Sequence, residues 1–369
     1  MPTTPHTPFI RPIHGGNLAW AAAIAGCSPD SLLDFSASIN PLGPPASVVQ
    51  AMAQALGQLS HYPDPQYTDL RRALAAYHQV PANWVLPGNG AAELLTWAAR
   101  DMAESHGPPG CHLLTPAFSD YGRALAAVGV PVLPWPLPMD RLLEGGTPDL
   151  PDPWPEPQAS CLLINNPHNP TGQLFSAERL RPLLERFATV VVDEAFMDFL
   201  PPHQQQSLIA EVVHRPNLVV LRSLTKFYTL PGLRIGYAIG HPDRLARWQR
   251  WRDPWPVNAL AAEAAIAAVA DTAFQSLTWQ WLPPARQALF QGLQNLPGLR
   301  PLAGAANYLL VKTGTPAPVL QERLLRSHQV LLRDCLSFAE LGEHYFRVAV
   351  RSPAENERLL TALGQTLRV

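Results

Sequence analysis

The chain has 369 residues, 47% of them hydrophobic and only 15% charged, with a formal net charge of -2. That balance describes a globular protein large enough for more than one domain and excludes a disordered chain. It also leaves no broad positive field for nucleic acid or an anionic membrane surface, so an anionic ligand must be held by a few placed cations.

The N-terminal run MPTTPHTPFIRPIHGG has neither the basic start nor the apolar stretch of a secretory signal. Four scattered cysteines, Cys27, Cys111, Cys161 and Cys335, include no CxxC pair. Free thiols in the reducing cytoplasm are expected, and no metal centre. From about Val48 to Tyr237, helix-like and strand-like segments alternate. The turn Pro87-Gly88-Asn89-Gly90 leads into a helix over 92–102. Residues 131–157 hold a dense share of the 41 prolines, interspersed with Leu and Trp, and predict an ordered, rigid connection. Strands follow at 160–165 (SCLLIN), 189–193 (TVVVD), 217–223 (NLVVLRS) and 234–239, with a helix over 177–186 between the first two. Apolar strands separated by helices indicate a mostly parallel α/β sheet.

The alanine-rich helix over 258–270 is too short for a bilayer and is interrupted by Glu263. Beyond it, strands at 307–312 (NYLLVK), 329–333 and 345–350 (YFRVAV), among helices such as 318–327, suggest a smaller α+β domain. In 345–350, alternation puts Phe346, Val348 and Val350 on one face and Arg347 with Ala349 on the other. The expected divisions are 1–45, an N-terminal segment packing with the small domain, 46–258 for the large domain and 259–369 for the small one.

Ligands of open α/β sheets bind beyond the carboxyl ends of the strands. Three such ends carry polar residues here. They are Asn165-Asn166-Pro167-His168-Asn169-Pro170-Thr171-Gly172, Asp193-Glu194-Ala195-Phe196, and Ser223-Leu224-Thr225-Lys226 followed by Arg234-Ile235-Gly236. The series resembles the fold type I pyridoxal-phosphate enzymes, in the branch that includes histidinol-phosphate aminotransferases, over nearly the whole chain. Within that branch, His14-Gly15-Gly16-Asn17, the run from Asp34 to Gly43, the run from Asp193 to Phe199, and Arg333-Asp334-Cys335 most resemble the L-threonine-O-3-phosphate decarboxylase family of cobalamin biosynthesis. The implied fold is α/β, a large domain with a mostly parallel seven-stranded sheet plus a smaller α+β domain. The implied cofactor is pyridoxal 5'-phosphate. The implied reaction is decarboxylation of L-threonine O-3-phosphate to (R)-1-amino-2-propanol O-2-phosphate, with histidinol-phosphate aminotransfer as the alternative. Only about forty residues precede the fold, with no basic helix, which argues against a DNA-binding regulator built on it.

The residue types suit that chemistry. A lysine amine must condense with the cofactor aldehyde. Lys226 is the lysine at a strand end, and the sequence has just one other, Lys312. The pyridine nitrogen keeps its proton beside a buried carboxylate. Asp193, which ends its strand, suits this better than its neighbour Glu194. Gly90, Ala91 and Ala92 open a helix whose N–H groups can cradle the cofactor phosphate. The resemblance adds Ser223, Thr225 and Arg234, the last able to pair bidentately with phosphate oxygens. It also implies Tyr62 reaching the phosphate from a neighbouring subunit, hence a two-fold homodimer. Phe118 or its rival Tyr121 stacks on the ring, and Asn169 meets the ring hydroxyl. Phe196 stands where many aminotransferases have a tyrosine, and a phenyl ring cannot donate to that oxygen. For the phosphorylated amino-acid substrate, the resemblance assigns Arg347 to the carboxylate and Arg333 to the phosphate. His14 and Asn40 complete the phosphate pocket.

Overall fold

The computed structural model describes residues 11–106, 110–148, 150 and 160–368. Its strands are β1 (Leu33–Asp34), β2 (Val85–Asn89), β3 (Cys111–Thr115), β4 (Val132–Pro136), β5 (Cys161–Asn165), β6 (Thr189–Asp193), β7 (Leu218–Ser223), β8 (Ile235–Gly240), β9 (Leu299–Leu302), β10 (Tyr308–Thr313), β11 (Val330–Leu331), β12 (Arg333–Asp334) and β13 (Tyr345–Ala349). The chain divides into two compact units. The larger comprises Ile39–Pro284 with Ala303–Asn307; the smaller comprises the residues up to Ser38, Ala285–Leu302 and those from Tyr308 onward.

In the larger unit seven strands lie in the order β2-β8-β7-β6-β5-β3-β4. β8 runs against both its neighbours, whereas the pairs from β7 across to β4 are parallel. Every residue of β5, β6 and β7 is buried, and their mostly apolar composition suits a sheet covered on both faces. Each fully buried Val or Leu side chain contributes roughly 1.5–3 kcal/mol. The helix Gly90–His106 follows β2 directly and packs Leu94, Leu95, Ala98, Ala99 and Met102 into the same core. Register then decides which residues meet. Asn165 pairs with Asp193, Ser223 with Gly236 and Asn89 with Ile235, so the ends of β2, β5, β6 and β7 and the start of β8 share one edge of the sheet.

Two local expectations change. Part of the proline-rich stretch is the edge strand β4, where Pro134 and Pro136 cost no central ladder bond. Residues 151–157 of that stretch, like the N-terminal run 1–10, lie outside the described residues. The helix expected over 177–186 is two short helices, Ala177–Leu180 and Leu183–Arg186, because Pro182 interrupts the ladder between them.

The smaller unit holds the antiparallel sheet β12-β13-β10-β9 and the parallel pair β1-β11. The strand expected over 329–333 splits, its first part pairing with β1 and its second with β13. Both faces of β13 are buried, so Arg347 is as enclosed as the apolar residues beside it. Arg333 sits directly opposite Arg347 in the β12–β13 register. The division between the compact units falls after Pro284, inside the helix Thr272–Gln294. The helix Ala259–Ala270 stays with the larger unit because it packs on the helices Ala46–Ala55 and Thr68–His78, with Ala261, Ala264, Ala265 and Ala268 buried. No helix among the described residues is long and apolar enough to cross a membrane.

Candidate active site

Asp193 closes β6 with 8% of its surface exposed. Its Oδ1 accepts the Ala195 N–H at 2.9 Å and its Oδ2 accepts the Tyr121 hydroxyl at 2.7 Å. Burial pushes its carboxyl pKa up, while Tyr121, the Lys226 charge and the Ala195 N–H pull the other way. Asn165 ties this strand end to the next loop, donating to the Asp193 carbonyl at 2.7 Å and accepting the Asn169 N–H at 2.6 Å. Lys226 lies half-buried past the end of β7, with Nζ 5.2 Å from the centroid of the Phe196 ring. Glu194 is committed elsewhere. It accepts from Ser207 at 2.7 Å and the Leu208 N–H at 2.8 Å, and pairs with Arg222 at 2.9 Å. That leaves Asp193 as the carboxylate facing Lys226.

At the same edge, Gly90 has φ +74° and begins the helix Gly90–His106. A Cβ there would lie 2.5 Å from Arg234 Nη2, so glycine is what lets the guanidinium lie over the helix start. Arg234 is itself left-handed, at φ +55°, and exposed. Ser223 Oγ and Thr225 Oγ1 are 2.8 Å apart and buried. Exposed guanidinium, helix N-terminus and hydroxyl pair together form a set of donors suited to a phosphate group.

Other expected residues are placed differently. Asn40 is 1% exposed, and its amide donates to the Phe227 carbonyl and to Thr278 Oγ1, both at 2.9 Å. Its Oδ1 accepts the Leu42 N–H, its own N–H donates to the Lys226 carbonyl, and its carbonyl accepts from Thr229. Asn40 therefore clamps the Lys226 loop, with its polar groups used on backbone and on Thr278. Tyr62 is 79% exposed and stacks on Trp255 with centroids 4.3 Å apart. Tyr121 is buried with its hydroxyl on Asp193, whereas Phe118 is half-buried and meets Tyr121 edge-on at 5.5 Å. Phe118 is thus the more open of the two rings.

The smaller unit carries its own cluster. Arg333 donates to the Ile13 carbonyl and, at 2.6 Å, to Ser337. Arg347 donates to the Ser36 carbonyl at 3.4 Å and lies 4.7 Å from the Tyr308 ring centroid. Burial lowers the pKa of both, and Arg347 adds to the lowering at Arg333. His14 is exposed and, with Arg333, Ser36 and Asn17, lines a small pocket of about 10 Å³.

Two features escaped the sequence reading. Tyr121 stands there only as a rival stacking ring, not as the donor to Asp193. Arg222 is a charge inside an otherwise apolar strand, which calls for buried carboxylates. Asp198 at 2.5 Å and Glu194 supply them; burial opposes the arginine's charge, yet the two carboxylates hold its pKa above the ordinary value.

The chain matches the model of aminotransferase class I and II over residues 30–363. It is 43% identical over 366 residues to the threonine-phosphate decarboxylase of Salmonella typhimurium, covering 96% of each chain. It is 35% identical to a histidinol-phosphate aminotransferase of Symbiobacterium thermophilum, covering 91% of each. The crystal structure of L-threonine-O-3-phosphate decarboxylase from Porphyromonas gingivalis superposes with a TM-score of 0.81 at 25% identity, covering 91% of this chain and 99% of that one. The seven-stranded sheet with its polar strand ends is accordingly that of the family, and this chain belongs to the class I and II aminotransferases.

Proposed function

We propose that this chain is a pyridoxal 5'-phosphate-dependent decarboxylase. It converts L-threonine O-3-phosphate to (R)-1-amino-2-propanol O-2-phosphate and carbon dioxide, in cytoplasmic cobalamin biosynthesis. The observation that carries the reading is the 43% identity, along 96% of both chains, to a threonine-phosphate decarboxylase.

The residues present fit the cofactor. The cradle at Gly90 would be filled by any Cβ, and Asp193 is buried at the strand end with a fixed carboxylate. Gly90, Ala91, Ala92, Ser223, Thr225 and Arg234 would hold its phosphate. Phe118 would cover the ring, Asn169 would meet its hydroxyl, and Asp193 would keep the ring nitrogen protonated. When bound, the cofactor supplies an electron sink for the pair left by a broken bond at Cα. Lys226 Nζ is the amine that would anchor it covalently, and the same group would be the acid placed to return a proton to Cα. Arg347 takes the substrate carboxylate, and Arg333 with His14 takes its phosphate. Phe196 lies beside Lys226 without a hydroxyl, which sets this pocket apart from aminotransferases with a tyrosine there.

The active form is a two-fold homodimer in which Tyr62 reaches the phosphate bound by the other chain. Exposed Leu56, Leu59, Tyr62 and Trp255 support it, being apolar surface of the kind that an interface covers. Mass-spectrometric product analysis of the cofactor-loaded protein with L-threonine O-3-phosphate, without any oxo acid, tests the reaction. Catalytic aminopropanol phosphate is expected. No such product, together with amino transfer from histidinol phosphate to 2-oxoglutarate, would replace the decarboxylase with the aminotransferase.

A further inference from the structure

We propose that Tyr121 is a positioning residue, whose hydroxyl holds the Asp193 carboxylate in the orientation that keeps a proton on the pyridine nitrogen of the bound cofactor. The proposal rests on the cofactor reading above and gives a role to a residue which that reading leaves unused.

The geometry is specific. The two Asp193 oxygens receive one donor each, Ala195 N–H on Oδ1 and Tyr121 O–H on Oδ2. Two donors on two different oxygens fix the plane of a carboxylate, and each oxygen retains acceptor capacity for a third donor. The Tyr121 ring cannot drift. It is 2% exposed in the core with Leu113, Ala124 and Leu163, and Phe118 meets it edge-on. Its backbone N–H donates to the Phe118 carbonyl at 3.1 Å, which locks the first turn of the helix Ser119–Ala126. One turn of helix thus places the half-buried Phe118 ring and the Tyr121 hydroxyl side by side.

The electrostatics point the same way. Burial raises the Asp193 pKa, and among the opposing influences Tyr121 comes first, ahead of the Lys226 charge and the Ala195 N–H; neighbouring Asp120 adds to the rise. Without the phenol the carboxylate becomes more basic and competes for the proton on the ring nitrogen. A buried tyrosine with a purely structural role needs only some acceptor for its hydroxyl. One aimed at this carboxylate changes the protonation of whatever the carboxylate touches.

The test uses the full-length protein loaded with pyridoxal 5'-phosphate labelled with ¹⁵N in the ring, as wild type and as Tyr121→Phe. The readouts are the nitrogen chemical shift, the cofactor Kd and the melting of the apo-protein. The expected result is a protonated-range shift in the wild type, a move toward the neutral range in Tyr121→Phe, a Kd raised about 5- to 10-fold, and unchanged apo-protein melting. An identical protonated shift in both proteins would overturn the proposal. So would a variant apo-protein that no longer melts cooperatively, since Tyr121 would then be a core residue. Wild-type protein that takes up no cofactor brings down the cofactor reading itself, a result distinct from both.

Discussion

The sheet edge around Asp193 and the arginine pair of the smaller unit bury charge in opposite ways. At the edge, a single carboxylate is balanced within the chain by a phenol, a backbone N–H and a nearby lysine. In the smaller unit, two buried arginines stand directly opposite each other on adjacent strands, among backbone carbonyls, aromatic rings and Ser337, with the Asp334 carboxylate 3.9 Å from Arg333. Like charges in that position cost stability; the pKa of Arg333 is lowered by burial first and by Arg347 second, with Asp334 opposing. The first region is complete as it stands and suits a ring with one protonated nitrogen. The second gains most from a bound anion, as a phosphorylated amino acid would provide.

Substitutions at either region should separate these two economies. Lys226→Ala should cut kcat by about 10⁴ or more and remove the near-visible absorbance of the bound cofactor. Retained turnover would move the chemistry away from the sheet edge. Arg333→Ala should raise KM for L-threonine O-3-phosphate about 100-fold, as expected for a lost charge-assisted contact, and leave the cofactor Kd nearly unchanged. An equal loss of both would erase the distinction between the regions. Asn40→Ala should lower stability by about 2 kcal/mol, read from the urea midpoint, with little change in KM. A KM rise matching that of Arg333→Ala would return Asn40 to the phosphate pocket. Phe196→Tyr should change kcat by less than about 10-fold, yet shift the absorbance of the bound cofactor. An unaltered spectrum would show that Phe196 does not face it.

The sequence made the sheet edge readable because three consecutive strands, TVVVD among them, end in polar residues at the same level. Period and burial suffice for that inference. Contacts between segments far apart in sequence were out of reach. Asn40 reads as part of a motif, but its amide is spent on Phe227 and Thr278, which only the folded chain brings near. Tyr121 could be seen as an aromatic near Phe118, yet its bond to Asp193 spans 72 positions. The division at Pro284 was hidden too, because an alanine-rich helix carries no sign of which neighbour it packs against. The proline-rich stretch concealed β4 because prolines read as loop until an edge position makes them tolerable.

The most direct test of the central claim uses the scarcity of lysine in this chain, which has only Lys226 and Lys312. The protein would be loaded with pyridoxal 5'-phosphate and reduced with borohydride, which makes the lysine–cofactor bond permanent. Digestion and peptide mass mapping would follow. The account predicts the pyridoxyl group on the peptide containing Lys226 and none on the one containing Lys312. Labelling of Lys312 alone, or of both lysines equally, would contradict it.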